Sequence, residues 1–276
     1  MDFYKYQAAG NDFVLVTSLE SRADISTDEV IRLCDRRYGI GADGLIILEG
    51  SRDYDFAMRF FNNDGSGGMM CGNGGRCIVD LAGRTGIPAS GKDGSWVFEA
   101  PDGIHRGRIV TSEGNKSIVC LSMNDITSVE PVELPETDGQ DSKAWRMNTG
   151  TDHLVMFRND LNSLDVLKEG RRWRYDSRFA PKGVNVNFVQ YSGQEEALRV
   201  RTYEKGVEYE TLSCGTGIIA SAVAAWMKGD RREKYTLRST SDTFSVSFSH
   251  RSGIFQDVTI EGPAEQTFRC TPSTPN

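Results

Sequence analysis

The sequence Cys-Gly-x-Gly occurs twice in this chain, each time directly before a segment with the composition of a helix. The first copy occupies residues 71–74 and the second residues 214–217, about half of the 276-residue chain apart. A motif repeated at half the chain length predicts two related lobes. Each lobe would then present one thiol, that of Cys71 or that of Cys214, at the N-terminus of a helix.

Short apolar runs alternate with a few helical segments in the rest of the chain. Ser26 and the acids that follow it predict a helix that begins there and ends near Gly39. Two further helices are predicted behind the cysteines, one to about Gly86 and one over residues 218–228. Strands are predicted at residues 13–16, 45–48, 56–61, 96–99, 108–111, 118–123, 153–157, 186–190, 198–203, 235–238, 244–248 and 258–260.

The remaining stretches are predicted to be loops. The segment 129–143 is acidic and contains two prolines, and residues 204–213 connect a predicted strand to the second cysteine motif. Together these elements predict an α+β fold of two similar lobes, each with one central helix among several strands.

The composition argues against several classes of partner. The net charge of −7 and the isoelectric point of about 5.2 disfavour nucleic acid and anionic membranes. No apolar run approaches the ~20 residues that span a bilayer, and no export signal is visible, so we expect a cytoplasmic protein. The six cysteines are then expected to be free thiols, and their spacing indicates no metal site.

Two thiols at helix N-termini suit proton transfer at carbon. The unpaired N–H groups of a first helical turn favour a thiolate, and neighbouring glycines let the backbone approach an anion. The same N–H groups would neutralise a substrate carboxylate and the enediolate formed when its α-proton leaves. One thiol would remove that proton, and the other would return a proton to the opposite face.

Less specific interpretations apply to several other features. A single Cys-Gly-x-Gly would more often mark a buried structural cysteine, but two copies half a chain apart favour a function. We assign the structural role to the four cysteines that lie in predicted helices or strands or near the C-terminal tail: Cys34, Cys77, Cys120 and Cys270. The glycine-rich segment 39–44 precedes a strand rather than a helix, which favours a structural turn over a nucleotide site. The three histidines form no Ser-His-Asp or His-Glu-x-x-His pattern, so hydrolase functions have little support.

These motifs together resemble the diaminopimelate epimerase family of pyridoxal-independent, two-cysteine amino acid racemases and epimerases. The resemblance extends over nearly the whole chain and rests on segments 5–13, 35–44, 62–76, 184–188, 204–217 and 261–264. It implies two pseudo-symmetric lobes, each a mostly antiparallel sheet or barrel wrapped around a central helix, and commonly a homodimer without a cofactor. We expect one lobe at 1–117 plus 264–276 and the other at 118–263.

The resemblance also implies roles for individual residues. Cys71 and Cys214 would be the base and the acid, and His153 would support them as a third catalytic residue. The reacting carboxylate would be bound by Gly72, Asn73, Gly215 and Thr216. The far, unreacting end of the amino acid would be held by Asn11, Asn62, Asn185, Glu204 and Lys205.

Three departures from the family pattern concern substrate recognition more than proton transfer. Lys205 stands where the family usually has arginine, and lysine lacks the bidentate fork for a carboxylate. The loop before Cys214 is one residue longer than the common form, and Thr151-Asp152 replaces the usual Asn-Pro.

The function implied is conversion of LL-diaminopimelate to the meso isomer for lysine and peptidoglycan precursor synthesis. Two alternatives remain open at this point. One is a racemase of another amino acid, such as histidine or glutamate, with the same two-thiol chemistry. The other is a non-catalytic amino acid binding protein of the same fold.

Overall fold

A computed structural model describes residues 2–67, 70–135, 141–193 and 196–271. The chain forms two compact units, of which one runs to Ser122 and resumes at Glu261, and the other is Met123–Ile260. The boundaries expected after residues 117 and 263 fall inside the strands Lys116–Ser122 and Ile254–Cys270.

Sixteen strands and four α-helices make up the described part of the chain. The first unit contains β1 (Phe3–Ala8), β2 (Asn11–Ser18), α1 (Thr27–Cys34), β3 (Gly44–Glu49), β4 (Phe56–Asn62), α2 (Gly72–Arg84), β5 (Trp96–Ala100), β6 (Gly103–Glu113) and β7 (Lys116–Ser122). The second contains β8 (Val129–Glu133), β9 (Lys143–Asn148), β10 (Asp152–Phe157), α3 (Val166–Arg174), β11 (Asn185–Tyr191), β12 (Ala197–Glu204), β13 (Tyr209–Thr211), α4 (Gly215–Lys228), β14 (Lys234–Arg238) and β15 (Thr243–Arg251). The last strand, β16 (Ile254–Cys270), begins in the second unit and ends in the first.

The first unit is a closed barrel around α2. Strands β1 to β7 are hydrogen-bonded in sequence order, and the second half of β16 pairs with both β7 and β1. The pairs β2–β3 and β4–β5 are parallel. Helix α2 contacts strands on several sides of the barrel, and its residues 73–82 are all buried. The apolar inner face of the barrel therefore encloses the helix that follows Cys71.

The second unit repeats this scheme around α4. Its strands lie in the order β16, β15, β14, β12, β11, β10, β9 and β8, with β13 paired to the end of β12. Here the parallel pairs are β10–β11 and β12–β14. Helix α4 packs against β9 to β12, β14 and β15, and its residues 217–225 are buried. The predicted α+β fold, with one central helix in each lobe, is confirmed.

Helix α1 begins where the sequence predicts and ends earlier. Ser26 caps it, and the Glu29 carboxylate bonds back to the Ser26 N–H to complete a capping box. The predicted end near Gly39 is wrong because the Asp35 backbone is extended and its carboxylate accepts hydrogen bonds from the N–H groups of Arg37 and Tyr38. Those bonds close a turn in place of another helical turn.

The predicted surface loop at 129–143 is wrong at its two ends. Residues Val129–Glu133 form β8, which pairs antiparallel with β9; residues 136–140 lie outside the described residues. Pro131 fits there because β8 is an edge strand, where one N–H of each pair is not needed for a ladder. Helix α3, which Asp165 caps, has no counterpart in the sequence prediction.

Candidate active site

Cys71 lies at the N-cap of α2. Its backbone is extended, and the first hydrogen bond of the helix runs from the Gly75 N–H to the Cys71 carbonyl, at 2.7 Å. The N–H groups of residues 72–74 thus precede the helical ladder and carry the positive end of the helix dipole. Cys71 is half-buried and is the residue that precedes these N–H groups.

Asn11 and Asn73, both predicted to bind substrate, meet at this thiol. The Cys71 Sγ lies 3.7 Å from Asn11 Oδ1, and the Asn73 side-chain amide donates to the same oxygen at 3.3 Å. Asn11 donates its own amide N–H to Asp43 at 2.7 Å. A carboxylate only accepts, so Asp43 fixes the Asn11 amide with its oxygen towards Cys71.

Arg76 fixes Asn73 in the same way. This arginine is fully buried, and its guanidinium donates to Asn73 Oδ1 at 2.7 Å and to the Pro263 carbonyl at 3.1 Å. Because a guanidinium only donates, the Asn73 NH₂ must turn towards Asn11. Arg76 has no role in the sequence prediction, although it closes the first cysteine motif.

An ion-pair cluster supports the Asp43 side of this network. Arg36 bridges Asp12 and Asp43, each at 2.7 Å, and Lys5 also bonds to Asp12 at 2.6 Å. Burial alone would raise the pKa of Asp12, but the bonds from Arg36 and Lys5 outweigh it and lower this pKa to about 2.

Asn62 lies at the end of β4, opposite Gly44. Its amide donates to Ser66 at 2.9 Å, and the next residue, Asn63, donates its backbone N–H to the Asp43 carbonyl at 3.1 Å. The structure therefore brings Cys71, Gly72, Asn73 and Asn11 together. The Asn62 side chain bonds to Ser66 instead, and only the next residue, Asn63, is bonded to Asp43.

Cys214 occupies the matching position at the N-cap of α4. It is extended, and the Ile218 N–H bonds to its carbonyl at 2.9 Å, so the N–H groups of residues 215–217 precede the ladder. The Cys214 Sγ lies 3.4 Å from the Thr216 hydroxyl, which in turn lies 2.9 Å from His153 Nε2. Three predicted site residues thus form one hydrogen-bonded chain.

His153 is fully buried on β10. Burial, and secondly the positive charge of Lys205, lower the pKa of His153 to about 3. The imidazole is therefore neutral at physiological pH, with one nitrogen that donates and one that accepts.

Three of the five residues predicted to hold the far end of the substrate, Asn185, Glu204 and Lys205, lie together where β12 ends. The other two, Asn11 and Asn62, belong to the first unit. Asn185 accepts a hydrogen bond from the Lys205 backbone N–H at 2.8 Å, and the Glu204 carboxylate accepts one from the Thr211 hydroxyl at 2.8 Å. Residues 204–213, predicted as a loop, instead form a hairpin, since Glu204 pairs with Tyr209 of β13. The hairpin holds Glu204 and Lys205 at a defined place.

Packing explains the second glycine of each motif. A Cβ at Gly74 would lie 2.8 Å from the Ile46 side chain, and one at Gly217 would lie 2.3 Å from Asn187 Oδ1. Each glycine thus lets the first turn of its helix approach a strand. Asn187 has no role in the sequence prediction, although it shares a face of β11 with Asn185, two residues away.

The remaining four cysteines all lie in the first unit. Cys34 ends α1, Cys77 lies inside α2, and Cys120 and Cys270 lie on β7 and at the end of β16. None of the six cysteines, all of which lie in the described residues, forms a disulfide, and burial raises the pKa of Cys34 to about 11 and that of Cys77 further still. Across the described residues, no group of His, Cys, Asp and Glu side chains is arranged to hold a metal ion. Nor does that part of the chain include a helix long and apolar enough to cross a membrane.

Solved structures share this fold at low sequence identity. A phenazine biosynthesis protein of the PhzF family from Bacillus anthracis superimposes with a TM-score of 0.73, at 14% identity over 98% of both chains. A probable proline racemase from Agrobacterium radiobacter superimposes with a TM-score of 0.66, at 15% identity over 99% of this chain and 92% of that one. The architecture is thus that of the two-lobed PhzF and proline racemase class.

The sequence relatives are more specific. The family model described as diaminopimelate epimerase matches residues 3–119 and 146–259. The diaminopimelate epimerase of Flavobacterium psychrophilum is 38% identical over 98% of this chain and 100% of its own length. That of Chlorobaculum tepidum is 37% identical over 95% and 98%, respectively. This chain belongs to the diaminopimelate epimerase family.

Proposed function

We propose that this protein is a cofactor-independent isomerase that converts LL-diaminopimelate to meso-diaminopimelate, a step of lysine and peptidoglycan precursor synthesis. Family membership supports the substrate. The observation that carries the chemistry is the repeated placement of one thiol, Cys71 or Cys214, at the N-terminus of a buried helix.

The reaction is a 1,1-proton transfer at one α-carbon. A thiolate takes the α-proton, so that a C–H bond breaks and an S–H bond forms, and the electron pair is delocalised into the carboxylate as an enediolate. The other thiol then gives its proton to the opposite face of the carbon. The N–H groups of Gly72, Asn73, Gly215 and Thr216 stabilise the enediolate because the unpaired donors of a helix N-terminus favour an anion.

The two thiols have different hydrogen-bond partners. Cys71 Sγ lies 3.7 Å from Asn11 Oδ1, an oxygen that only accepts. Cys214 Sγ lies 3.4 Å from the Thr216 hydroxyl, which can donate to a thiolate or accept from a thiol. Each thiol is the base in one direction of the reaction and the acid in the other.

The far end of diaminopimelate carries an ammonium and a carboxylate. Glu204 suits the ammonium and Lys205 the carboxylate, while Asn11, Asn62 and Asn185 supply amide hydrogen bonds. Asn185 accepts a bond from the Lys205 backbone, which places the two residues next to each other.

Lysine at position 205 is expected to bind the carboxylate less tightly than arginine, because an ammonium lacks the guanidinium's bidentate fork. Lys205→Arg should therefore lower KM for diaminopimelate by about threefold to tenfold, with kcat little changed. Steady-state kinetics of this variant and of Lys182→Arg, an exposed lysine, provide the comparison. An unchanged KM in Lys205→Arg would remove Lys205 from the carboxylate site.

The function is tested by a proton NMR time course with LL-diaminopimelate in D₂O under reducing conditions, with chiral chromatography of the product. Loss of the α-proton signal together with appearance of the meso isomer would establish both reaction and substrate. An absence of exchange while both thiols are free would contradict the assignment of substrate.

A racemase of another amino acid is the second candidate, and Lys205 is the observation that favours it. The same D₂O assay with histidine, glutamate and other amino acids separates the two candidates, because solvent exchange reports on any α-proton. We also propose that the protein is cytoplasmic and forms a homodimer. Light scattering tests the dimer, by comparing the mass in solution with the chain mass of 30.6 kDa.

A further inference from the structure

Asn187 is a buried asparagine of β11 to which the mechanism above assigns no role. Its side chain has no exposed surface, and every polar atom of its amide is engaged. The amide nitrogen lies 3.0 Å from His153 Nδ1 and 3.2 Å from the Leu154 carbonyl oxygen. The amide oxygen accepts a hydrogen bond from the Thr202 hydroxyl at 2.9 Å.

These contacts determine which nitrogen of His153 carries the proton. The Leu154 carbonyl only accepts, so it fixes the Asn187 NH₂ on its own side. The second N–H of that NH₂ then points at His153 Nδ1, which must accept. A neutral imidazole that accepts at Nδ1 carries its proton on Nε2.

The tautomer of His153 in turn sets the direction of the bond between Thr216 and Cys214. With its proton on Nε2, His153 donates to the Thr216 oxygen at 2.9 Å, and the hydroxyl proton of Thr216 remains available for Cys214 Sγ at 3.4 Å. In the other tautomer, Nε2 would accept that same hydroxyl proton, and Cys214 would lose this donor. The hydroxyl of Thr216 then accepts from His153 and donates to Cys214, and each hydrogen bond in such a chain polarises and strengthens the next.

We propose that Asn187 is a positioning residue for the reaction: it holds the proton of His153 on Nε2, so that the Thr216 hydroxyl donates to the Cys214 thiolate. The role in the reaction rests on the proposed function. The positive charge of Lys205 acts in the same direction as Asn187, since both oppose a second proton on the imidazole.

The tautomer is measured directly by ¹⁵N NMR of the histidine side chains. The chain has three histidines, so the His153 signals are assigned by their loss in His153→Gln. The expected spectrum has a protonated Nε2 and an unprotonated Nδ1 for His153, unchanged between pH 8 and 5. A proton on Nδ1, or titration near pH 6.5, would overturn the proposal.

Substitutions at 187 are expected to move both the tautomer and the thiol. Asn187→Leu removes the donor and leaves His153 free to adopt either tautomer. The Thr216 bond to Cys214 weakens. The pKa of Cys214 is then expected to rise by about one to two pH units, which is the change that loss of a hydrogen bond to a charged group usually causes. Alkylation of Cys214 at pH 7 should then slow by about tenfold or more.

The alkylation is followed by mass spectrometry of the Cys214 peptide in a Cys71→Ala background, as a function of pH. Thr202→Val is the matched control, because it removes a bond to the Asn187 oxygen while the Leu154 carbonyl still orients the amide. It should leave the tautomer and the pKa of Cys214 in place. An Asn187→Leu protein with the wild-type tautomer and alkylation profile would refute the positioning role.

Asn187→Asp keeps the shape of the side chain and is the second variant if the leucine disrupts folding. A carboxylate accepts at both oxygens, so Nδ1 of His153 should acquire a proton. If Nδ1 stays unprotonated beside the carboxylate in this variant, the side chain at position 187 does not control the tautomer.

None of these measurements uses a substrate. If diaminopimelate shows no exchange while the tautomer and the thiol respond as expected, the proposed substrate is wrong and the role of Asn187 stands. If exchange occurs and neither responds, the function stands and the role of Asn187 is wrong.

Discussion

Replacing either Cys71 or Cys214 by alanine is expected to abolish epimerisation. Each face of the α-carbon needs its own proton carrier, and methyl side chains neither accept nor donate a proton. General acid–base catalysis typically contributes 10²–10⁴-fold, so the loss of one thiol should lower activity to between about 10⁻² and 10⁻⁴ of wild type. The measurement is the rate of meso-diaminopimelate formation, by chiral chromatography, at saturating LL-diaminopimelate.

The matched control is Cys270→Ala, which removes a thiol from the end of β16 and should keep near wild-type activity. Serine at position 71 or 214 should leave only slow exchange of the α-proton, since a hydroxyl does not ionise near neutral pH and is a far weaker base than a thiolate. Full activity in either alanine variant would refute the two-thiol mechanism.

The sequence predicts the two central helices and most of the strands because their signals are local, although β1 and β9 have no counterpart in the prediction. Helix α2 follows a recognisable N-terminal motif, and α1 has a complete capping box from Ser26 to Glu29. The end of α1 is harder to predict, because the Asp35 side chain bonds to two backbone N–H groups that could equally have continued the helix.

The sequence does not predict the elements that depend on distant partners. Strand β8 contains a proline and acidic residues, which predict a loop, and it is a strand only because β9 provides a partner. The hairpin of β12 and β13 is not predicted for the same reason, because its segment is charged and β13 is a strand only through its pairing with β12. Strand formation at such sites is decided by tertiary pairing rather than by local composition.

The candidate site shows the same division. The cysteines and their glycines are visible in the sequence because the motif repeats. The supporting side chains are Arg76, which contacts Asn73, and Asn187, which contacts His153. These contacts are visible only in the folded structure. A buried arginine or asparagine carries no periodic signal, and its role lies in which atom donates and which accepts.

Acid is expected to destabilise the protein through His153. Its pKa is about 3 in the folded protein, mainly because of burial and then because of Lys205, against about 6.5 in an unfolded chain. Between these values the unfolded state binds a proton that the folded state does not. His153 therefore contributes its full stability above pH 6.5 and loses about 1.4 kcal/mol for each pH unit as the pH falls towards 3.

The variant His153→Gln should lack this dependence. From pH 7 to 5, the unfolding free energy of the wild type is expected to fall by about 2 kcal/mol more than that of His153→Gln. Urea unfolding at intervals between these pH values measures both slopes. The window stays above the range in which most carboxylates titrate.

His105 provides a control of opposite sign. Burial alone would lower the pKa of His105, but its bonds to Asp102 and to the Ser122 carbonyl raise it. This histidine contributes stability that is present at low pH and is lost as the pH rises through its folded pKa. As the pH falls, the unfolding free energy of His105→Gln should therefore decrease more steeply than that of the wild type, whereas that of His153→Gln should decrease less steeply.

Equal slopes of unfolding free energy against pH in the wild type and in His153→Gln would contradict the prediction for His153. They would mean that His153 is protonated to the same extent in the folded and unfolded states, which a buried imidazole held between Asn187 and Thr216 does not allow.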